Sequence, residues 1–435
     1  MPISQTPAYN LKAVLKETGI AADTLRAWER RYGLPMPERT SGGHRLYSLS
    51  DIETVKWLMA RQAEGLSISH AVEMWKDQIA SGADPLAASG QQTLLSSSNM
   101  NLVNVRRDWL EACFRYDTVA AEQILNQAFA AHSIEIACTE VMMQGLFEVG
   151  EQWHKGIASV QQEHFASAIA MRRLESLISA APPPTHPEVI ITACPPEEWH
   201  TFPLSLITLF LRRRGWNVVT LGANVPTNRM EDAIDAIHPR LVILAAQTLM
   251  TAVSLRKMAR LLNQKEVQTA FGGRVFNLIS GLSRRIPAHF LGNTIESSTT
   301  TIEGLIANPM PMPAERVIDD KILQTASAYE QERLLIETSV LETIKSPDPM
   351  IEYIDTANQF LGKILTAALE LGDISLLSED LYWLTNLLNE HQVSVSLLPI
   401  FLDAYAQATR KVMGERGNPI SFWLALEAQK LIASG

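Results

Sequence analysis

The sequence predicts a multidomain protein that combines α and α/β domains, and three patterns carry that prediction. A helix-turn-helix pattern with an arginine-rich turn lies near the N-terminus, short apolar strands alternate with helices in the middle, and helical periodicity fills the remaining segments. At 435 residues the chain is longer than one hydrophobic core supports. We therefore expect a winged helix-turn-helix head, a four-helix bundle, a doubly wound α/β domain and an all-α C-terminal domain.

The composition is that of an ordinary globular protein, with 46% hydrophobic and 19% charged residues. The chain has no run of about 18 apolar residues and no secretory leader pattern, so we expect a cytoplasmic protein without a membrane partner. Its three cysteines, Cys113, Cys138 and Cys194, show neither pairing nor zinc-ligand spacing, which is typical of a reducing compartment. The net charge of -10 confines any DNA binding to a local patch.

Residues 1–79 are predicted to form that patch. A helix, a tight turn at Gly19 and a second helix that begins near residues 22–24 make a helix-turn-helix. Arg26, Arg30 and Arg31 share one helical face, and a Gly-containing turn follows as a candidate wing, with Arg39 and Arg45. Arginine spacing alone would fit a solvated charged helix equally well.

The next segments change in composition. Residues 80–101 are small and polar with Gly and Pro, which predicts a flexible linker, and residues 102–181 have the periodicity of a helical bundle. In the bundle, Glu163 and His164 follow Trp153 and His154 by ten residues, so a continuous helix would place them on one face. If Gly156 interrupts the helix, the resulting helix–turn–helix edge would gather the same groups. The alternative is a surface patch with one buried anchoring tryptophan.

Residues 186–308 are predicted to form the α/β domain. Apolar, β-branched strands at 189–194, 218–223 and 241–247, with a fourth that ends at 269–273, alternate with helices and indicate a parallel sheet. Glu198 and His200 follow the first strand, at the sheet edge where ligands bind, and a carboxylate beside an imidazole fixes its tautomer. Gly272 and Gly273 permit close approach of a bulky planar ligand. A lone histidine or Gly-Gly pair is more often structural.

A proline-rich segment at 309–314 closes that domain, and residues 315–435 are predicted to be helical. Their apolar residues at helical spacing are Leu376, Leu377, Leu381, Trp383, Leu384 and Leu388. A dimerisation or regulatory domain is the favoured interpretation. The alternative is a second pocket for a bilin or another ligand, near Trp383 and His391, and the absence of cysteine from this segment rules out covalent attachment through a thiol.

Two strings of the head, TLRAWERRYG at 24–33 and RTSGGHRLYS at 39–48, resemble the MerR family, and its CarH/LitR branch in particular. The resemblance implies operator DNA as partner. It places on or beside the recognition helix Thr24, Arg26, Trp28, Arg30, Arg31 and Tyr32, and in the wing Arg39, His44, Arg45 and Tyr47. Trp28 and Tyr47 could support the core instead of contacting DNA. Arg45 is a better candidate than these two aromatic residues for contact with a DNA phosphate.

The W-x9-E-H pattern of Trp153, Glu163 and His164, the E-x-H pattern of Glu198 and His200, and the later Gly-Gly resemble the cobalamin-binding unit of the same branch. The resemblance covers about residues 1–305 and implies a helical bundle over a Rossmann-like domain. His200 would be the lower axial ligand of cobalt, held by Glu198. The groups near the upper ligand would be Trp153, Val160, Glu163 and His164, with His154 as a possible cobalt ligand after photolysis. Thr248, Gly272 and Gly273 would line the nucleotide tail.

This sequence departs from the branch at two places. Pro203 occupies a position that is usually glycine, so the loop after His200 cannot copy a glycine conformation. Gln247 and Thr248 stand where a strand-end serine is common.

The resemblance implies a regulator, not an enzyme. Adenosylcobalamin would hold a dimer or tetramer on DNA in the dark, and light would release it and raise transcription. The alternatives are a MerR-type regulator that senses cobalamin or redox level without light, and a dual cobalamin and bilin photoreceptor. A corrinoid methyl carrier fits less well, because a helix-turn-helix head is foreign to that class.

Overall fold

The computed structural model describes residues 6–39, 45–63, 66–80, 85–86, 96–344, 350–378 and 397–434. His44, Leu381, Trp383, Leu384, Leu388, His391 and most of the predicted linker lie outside these residues. Two units divide the chain, one of Met1–Arg107 with Asn277–Ser280 and one of Asp108–Phe276 with Gly281–Gly435. In the described residues no helix is both long enough and apolar enough to cross a membrane.

The head is a small helical domain with a three-stranded antiparallel sheet. Its elements are β1 (Tyr9–Asn10), α1 (Leu11–Thr18), α2 (Ala22–Tyr32), β2 (Glu38–Arg39), β3 (Arg45–Tyr47), α3 (Leu49–Ala63) and α4 (Ile68–Ala80), and the strand order is β1-β3-β2. Gly19 ends α1 with φ +73°, so the predicted turn occurs where a left-handed residue allows it. Leu25, Trp28 and Tyr47 belong to the buried core that joins α2 to the sheet.

Four helical segments follow in the described residues between 96 and 179. They are α5 (Ser96–Phe114), α6 (Thr118–Ala131), a continuous helix of α7 (Ile134–Ile136), a π-helical stretch (Ala137–Met143) and α8 (Gln144–His154), and α9 (Val160–Ser179). The helix is not continuous from Trp153 to His164, because Gly156 adopts φ +65° and a turn at residues 155–159 intervenes. Of the two predicted arrangements, the interrupted one is therefore present.

The α/β domain contains a five-stranded parallel sheet in the order β5-β4-β6-β7-β8. The strands are β4 (Val189–Ala193), β5 (Asn217–Gly222), β6 (Leu241–Ala245), β7 (Thr269–Gly272) and β8 (His289–Phe290), and the helices are α10 (Phe202–Arg213), α11 (Met230–Ile237), α12 (Leu249–Gln264), α13 (Arg274–Leu278) and α14 (Ile295–Ala307). The four predicted strands are present. The order reverses between β4 and β6, which opens a crevice at their carboxyl ends.

The C-terminal region is helical, as predicted, with α15 (Asp320–Thr343), α16 (Met350–Glu370), α17 (Leu397–Met413) and α18 (Asn418–Ser434). It packs against the α/β domain through two buried arginines. Arg256 donates to the carbonyl of Glu370 at 2.6 Å and to Glu315 at 2.6 Å, and Arg285 donates to the carbonyl of Leu371 at 2.9 Å. α12 therefore contacts this region through its middle, while its N-terminus lies at the crevice.

Candidate functional site

The loop after β4 is anchored to the end of β5. Asn224 accepts a hydrogen bond from the backbone N–H of Glu197 at 2.9 Å, and its own N–H donates to the carbonyl of Glu198 at 3.0 Å. Glu197 adopts φ +68°, which turns the chain sharply before Glu198. These contacts fix the backbone on either side of the Glu198 side chain.

Glu198 is a fully buried carboxylate at the centre of what we call the Glu198 network. One oxygen accepts from the N–H of His200 at 2.9 Å and lies 2.7 Å from its Nδ1, and the other accepts from the N–H of Gln247 at 2.7 Å and the hydroxyl of Thr251 at 2.7 Å. Burial alone would raise the pKa of Glu198, but these hydrogen bonds lower it below its ordinary value. Residues that follow β4 and β6, together with one from α12, thus hold one ionised carboxylate.

His200 is the exposed end of that network, with 69% of its side chain accessible. The hydrogen bond to Glu198 raises the pKa of His200, and the charge of Glu163 adds to this increase, while Arg274 opposes it. Because Nδ1 is bound to Glu198, Nε2 is the ring atom left for a ligand.

The ends of β6 and β7 form the rest of the crevice. A Cβ on Gly273, which adopts φ +129°, would lie 1.9 Å from the carbonyl oxygen of Ala246, so only glycine fits there. A Cβ on Gly272 would meet nothing within 4 Å, so this side of the strand is open. The buried Nε2 of Gln247 has no hydrogen-bond partner in the part of the chain that the structure describes. The hydroxyl of Thr248 caps α12 by accepting from Thr251 N–H at 3.2 Å.

The turn between α8 and α9 carries the predicted bundle residues. A capping box of Ser159 and Gln162 starts α9 at Val160, which places Glu163 in its first turn and His164 directly after it. Glu163 accepts from the Ser167 hydroxyl at 2.7 Å, and its other oxygen lies 3.7 Å from His164 Nε2.

His164 is exposed and Trp153 is partly buried. His154 ends α8, and its side chain lies outside the description.

Arg274 links this bundle to the sheet. Its backbone N–H donates to Gln247 Oε1 at 3.0 Å, its guanidinium pairs with Glu151 at 3.1 Å, and the same group lies 5.6 Å from the ring centre of Phe147. One residue after Gly273 therefore contacts both the end of β6 and the helix that carries Trp153.

Pro203 occupies the second position of α10, where a helix needs no backbone donor. The proline therefore starts a helix directly after the His200 loop. As predicted, this loop does not reproduce a glycine conformation.

These residues fit a cobalt corrinoid. An imidazole oriented by a buried carboxylate is a suitable axial ligand, the open side of Gly272 leaves room for a bulky group, and the unpartnered amide of Gln247 offers it a hydrogen bond.

The head presents a candidate DNA surface on α2. Its exposed residues are Asp23, Thr24, Arg26, Arg30 and Arg31, and the Arg31 guanidinium lies 5.4 Å from the ring centre of the partly buried Tyr32. Arg26 forms an exposed ion pair with Asp23 at 3.2 Å, which leaves it accessible to solvent.

Trp28 and Tyr47 are buried, so of the two roles considered for them the structure favours core support. Direct DNA contact by these two side chains does not fit their burial, because the core residues around them exclude a phosphate or a base edge.

Glu29 joins α2 to β3. It accepts from Arg45 Nε at 2.8 Å and from the Tyr47 hydroxyl at 2.6 Å, and we call this contact the Glu29 bridge. Arg45 is therefore ion-paired with Glu29 within the head, whereas the sequence predicted that it contacts a DNA phosphate. Arg39 pairs with Arg45 through β2 and β3, and its side chain, like all of His44, lies outside the description.

Glu29, Thr251 and Arg274 were not predicted as site residues from the sequence, and Gln247 was noted only as a departure at the strand end. Thr251 follows Thr248 by three residues, a capping spacing that points to a helix start. The others carry no local signal, because their partners are distant in sequence: Glu151 precedes Arg274 by 123 residues.

Three family models match the chain. The MerR HTH family regulatory protein model matches residues 9–78, and two B12 binding domain models match residues 105–178 and 188–290. The HTH-type transcriptional repressor CarH of Myxococcus xanthus is 32% identical over 237 residues, which are 54% of this chain and 78% of that protein. The repressor CarA of the same organism is 32% identical over 239 residues, 54% of this chain and 75% of that protein.

Among solved structures, the monomethylamine corrinoid protein of Methanosarcina barkeri is 18% identical and aligns with 46% of this chain and 98% of its own, at a TM-score of 0.40. The matched models end at residue 290, and neither they nor these relatives support a bilin in the C-terminal region.

Proposed function

This chain belongs to the CarH-like branch of the MerR family of transcription regulators, and from that premise we propose that it is a light-responsive repressor controlled by adenosylcobalamin. It is a transcription regulator with a MerR head and two B12 binding domains. The proposal adds the adenosyl form, the response to light and the residues that carry both.

The Glu198 network is the observation that carries the proposal. It presents His200 Nε2 from a rigid support, so this imidazole would hold the cobalt of the corrinoid, and it keeps Glu198 ionised so that it accepts from Nδ1. Gly272 and Gly273 would border the buried tail, with Thr248 and Gln247 beside it. When bound, adenosylcobalamin supplies a cobalt–carbon bond that light breaks.

The bundle residues would contact the upper ligand. Trp153 and Val160 would pack against it, Glu163 and His164 would bind its polar groups, and His154 would be the second cobalt ligand after photolysis. These contacts would form only while the upper ligand is present, so they would favour one arrangement of the bundle over the other. Arg274 would transmit this rearrangement of the bundle to the sheet, since it pairs with Glu151 on the helix of Trp153.

The exposed arginines of α2 support DNA binding by the head. Assembly into a dimer or tetramer would present several heads and raise avidity without new contacts. The proposed domain limits are residues 1–79 for the head, 80–101 for the linker, 102–181 for the bundle, 186–308 for the cobalamin domain and 315–435 for the C-terminal domain.

A redox-level sensor is a less favoured role for this chain. Burial raises the pKa of Cys113, Cys138 and Cys194 to about 12, which keeps all three thiols protonated and poorly reactive. A sensor of cobalamin level without light stays open as the second candidate, because it uses the same Glu198 network.

The test is DNA binding in darkness and after illumination, with a site selected from random DNA by the adenosylcobalamin-bound wild-type chain. We expect affinity to fall at least tenfold on illumination and His200→Ala to abolish the effect of the cofactor. Binding that requires cobalamin but ignores light would identify the second candidate. Binding indifferent to both would refute the proposal.

A further inference from the structure

The helical hairpin of α17 and α18 carries exposed apolar side chains. On α18, Phe422, Leu426 and Ile432 are 62%, 50% and 69% exposed, and on α17 Ile400 is 56% exposed. A large exposed apolar patch with charges at its edge is typical of an interaction surface. The matched family models end at residue 290, so this surface lies beyond them.

These side chains share one surface. The guanidinium of Arg410 on α17 lies 5.6 Å from the ring centre of Phe422 on α18, which brings the two exposed stripes side by side. α17 and α18 are joined by a 3-10 turn at Gly414–Gly417 and run in opposite directions. Ile400 precedes Arg410 by ten residues and Ile432 follows Phe422 by ten, about 15 Å along each helix, so both isoleucines reach the other end of the hairpin.

The same stripe of α17 carries two opposite charges. Asp403 and Arg410 are seven residues apart, two helical turns, and both are exposed. Asp403 accepts from the amide of Gln407 at 2.7 Å, and Arg410 lies over Phe422. Within the described ranges neither charge has an ion-pair partner. Gln407 lies between them and is also exposed.

We propose that this hairpin surface binds its counterpart on a second copy of the chain. In an antiparallel arrangement about a two-fold axis, Asp403 of each copy lies opposite Arg410 of the other, which forms two equal ion pairs. Gln407 lies beside the axis, and the apolar side chains of α18 fill the surface around it. The surface is self-complementary in charge, and this property selects a second copy over an unrelated partner.

The available area is sufficient for a dimer. A helix of 17 residues is about 25 Å long, and two packed helices are about 20 Å wide, so each copy offers about 500 Å². Two copies would bury about 1,000 Å², at the lower limit for a specific interface. This contact is independent of cobalamin and of the head.

The first test crosslinks the full chain without cobalamin. Gln407→Cys under mild oxidation is expected to give a covalent dimer, since the two sulfurs meet across the axis and the native cysteines are buried. Leu334→Cys, at an exposed position of α15, is the matched control and should stay monomeric on a denaturing gel. A Gln407→Cys chain that crosslinks no faster than the control would overturn the proposal.

The second test exchanges the two charges and measures self-association by analytical ultracentrifugation. Asp403→Arg and Arg410→Asp are each expected to raise the dimer Kd at least tenfold, because like charges then face each other. The double variant should return the Kd to within about threefold of wild type. Circular dichroism checks that each variant folds. Single variants that associate like wild type, or a double variant no better than either, would contradict the interface.

Discussion

The Glu198 network and the Glu29 bridge both orient a side chain through a carboxylate, but they differ in how deeply that carboxylate is buried. In each, a carboxylate holds a basic side chain of a candidate binding region: His200 after β4 and Arg45 on β3. Glu198 is fully buried and accepts four hydrogen bonds, whereas Glu29 retains 10% side-chain exposure and accepts two. The deeper carboxylate has more donors to satisfy, so we expect its removal to affect both folding and binding.

The largest effect is expected from Glu198→Ala. Loss of the carboxylate leaves the N–H of Gln247 and the hydroxyl of Thr251 without their acceptor and frees the His200 ring. We expect a loss of about 2–4 kcal/mol in the free energy of unfolding, measured with urea. Cobalamin affinity should fall about 10- to 100-fold in an absorbance titration.

Glu197→Gln, at an exposed neighbour, is the control for this variant and should change neither quantity. A Glu198→Ala chain with wild-type cobalamin affinity would show that His200 needs no carboxylate to bind.

Gly273→Ala is expected to disturb the Glu198 network indirectly, through the backbone next to Gln247. The new Cβ would clash with the carbonyl of Ala246, the residue before Gln247, and alanine resists φ +129°. We expect a loss of about 2–3 kcal/mol in a thermal or urea melt. Gly272→Ala is the matched control, since its Cβ enters open space, and it should melt like wild type while binding cobalamin more weakly. Equal stability of the two variants would refute this distinction.

Glu29→Gln weakens the shallower contact. The wing strand loses a charge-assisted hydrogen bond, which costs about 1–2 kcal/mol, while the basic surface gains one unit of net positive charge. Affinity for the selected DNA site should therefore fall about 3- to 10-fold, and affinity for unrelated DNA should rise slightly. Glu38→Gln, outside the bridge, serves as control. A variant that gains affinity for both DNAs alike would mean that Glu29 acts only through its charge.

Ser159→Ala gives the smallest effect and extends the comparison to the bundle. The N-cap hydroxyl accepts from Gln162 N–H at 3.2 Å and starts the helix that carries Glu163 and His164. Its loss should cost about 1 kcal/mol, visible as faster amide exchange over residues 160–164. Ser176→Ala, late in the same helix, should leave that exchange unchanged. Exchange that is equally fast in both variants would count against a local role for the cap.

The sequence predicts elements well where periodicity is long and partners are close. The four longer strands, the head and the turn at Gly19 followed from local patterns, and the resemblance paired Glu198 with His200 across two residues. β8 has only two residues and therefore no periodicity. The acceptor for Arg45 was missed because Glu29 is 16 residues away and on another element.

The cofactor roles of Trp153, Glu163 and His164 and the DNA roles of the α2 residues stay predictions. Their chemistry depends on molecules whose contacts a sequence does not contain. Gln247 and Thr251 illustrate the same limit inside the chain, since only the folded sheet brings them to Glu198.

The two arginines beneath the C-terminal helices bear on where this protein can be divided. A cut at the proline-rich segment 309–314 would follow the sequence, yet it would remove Glu315 from Arg256 and the carbonyl of Leu371 from Arg285. A truncated chain would then carry two guanidinium groups in a newly opened apolar surface. The boundary that the sequence suggests is therefore not a boundary in stability. A chain shortened at this segment should be less stable, because the α/β domain depends on contacts with the C-terminal helices.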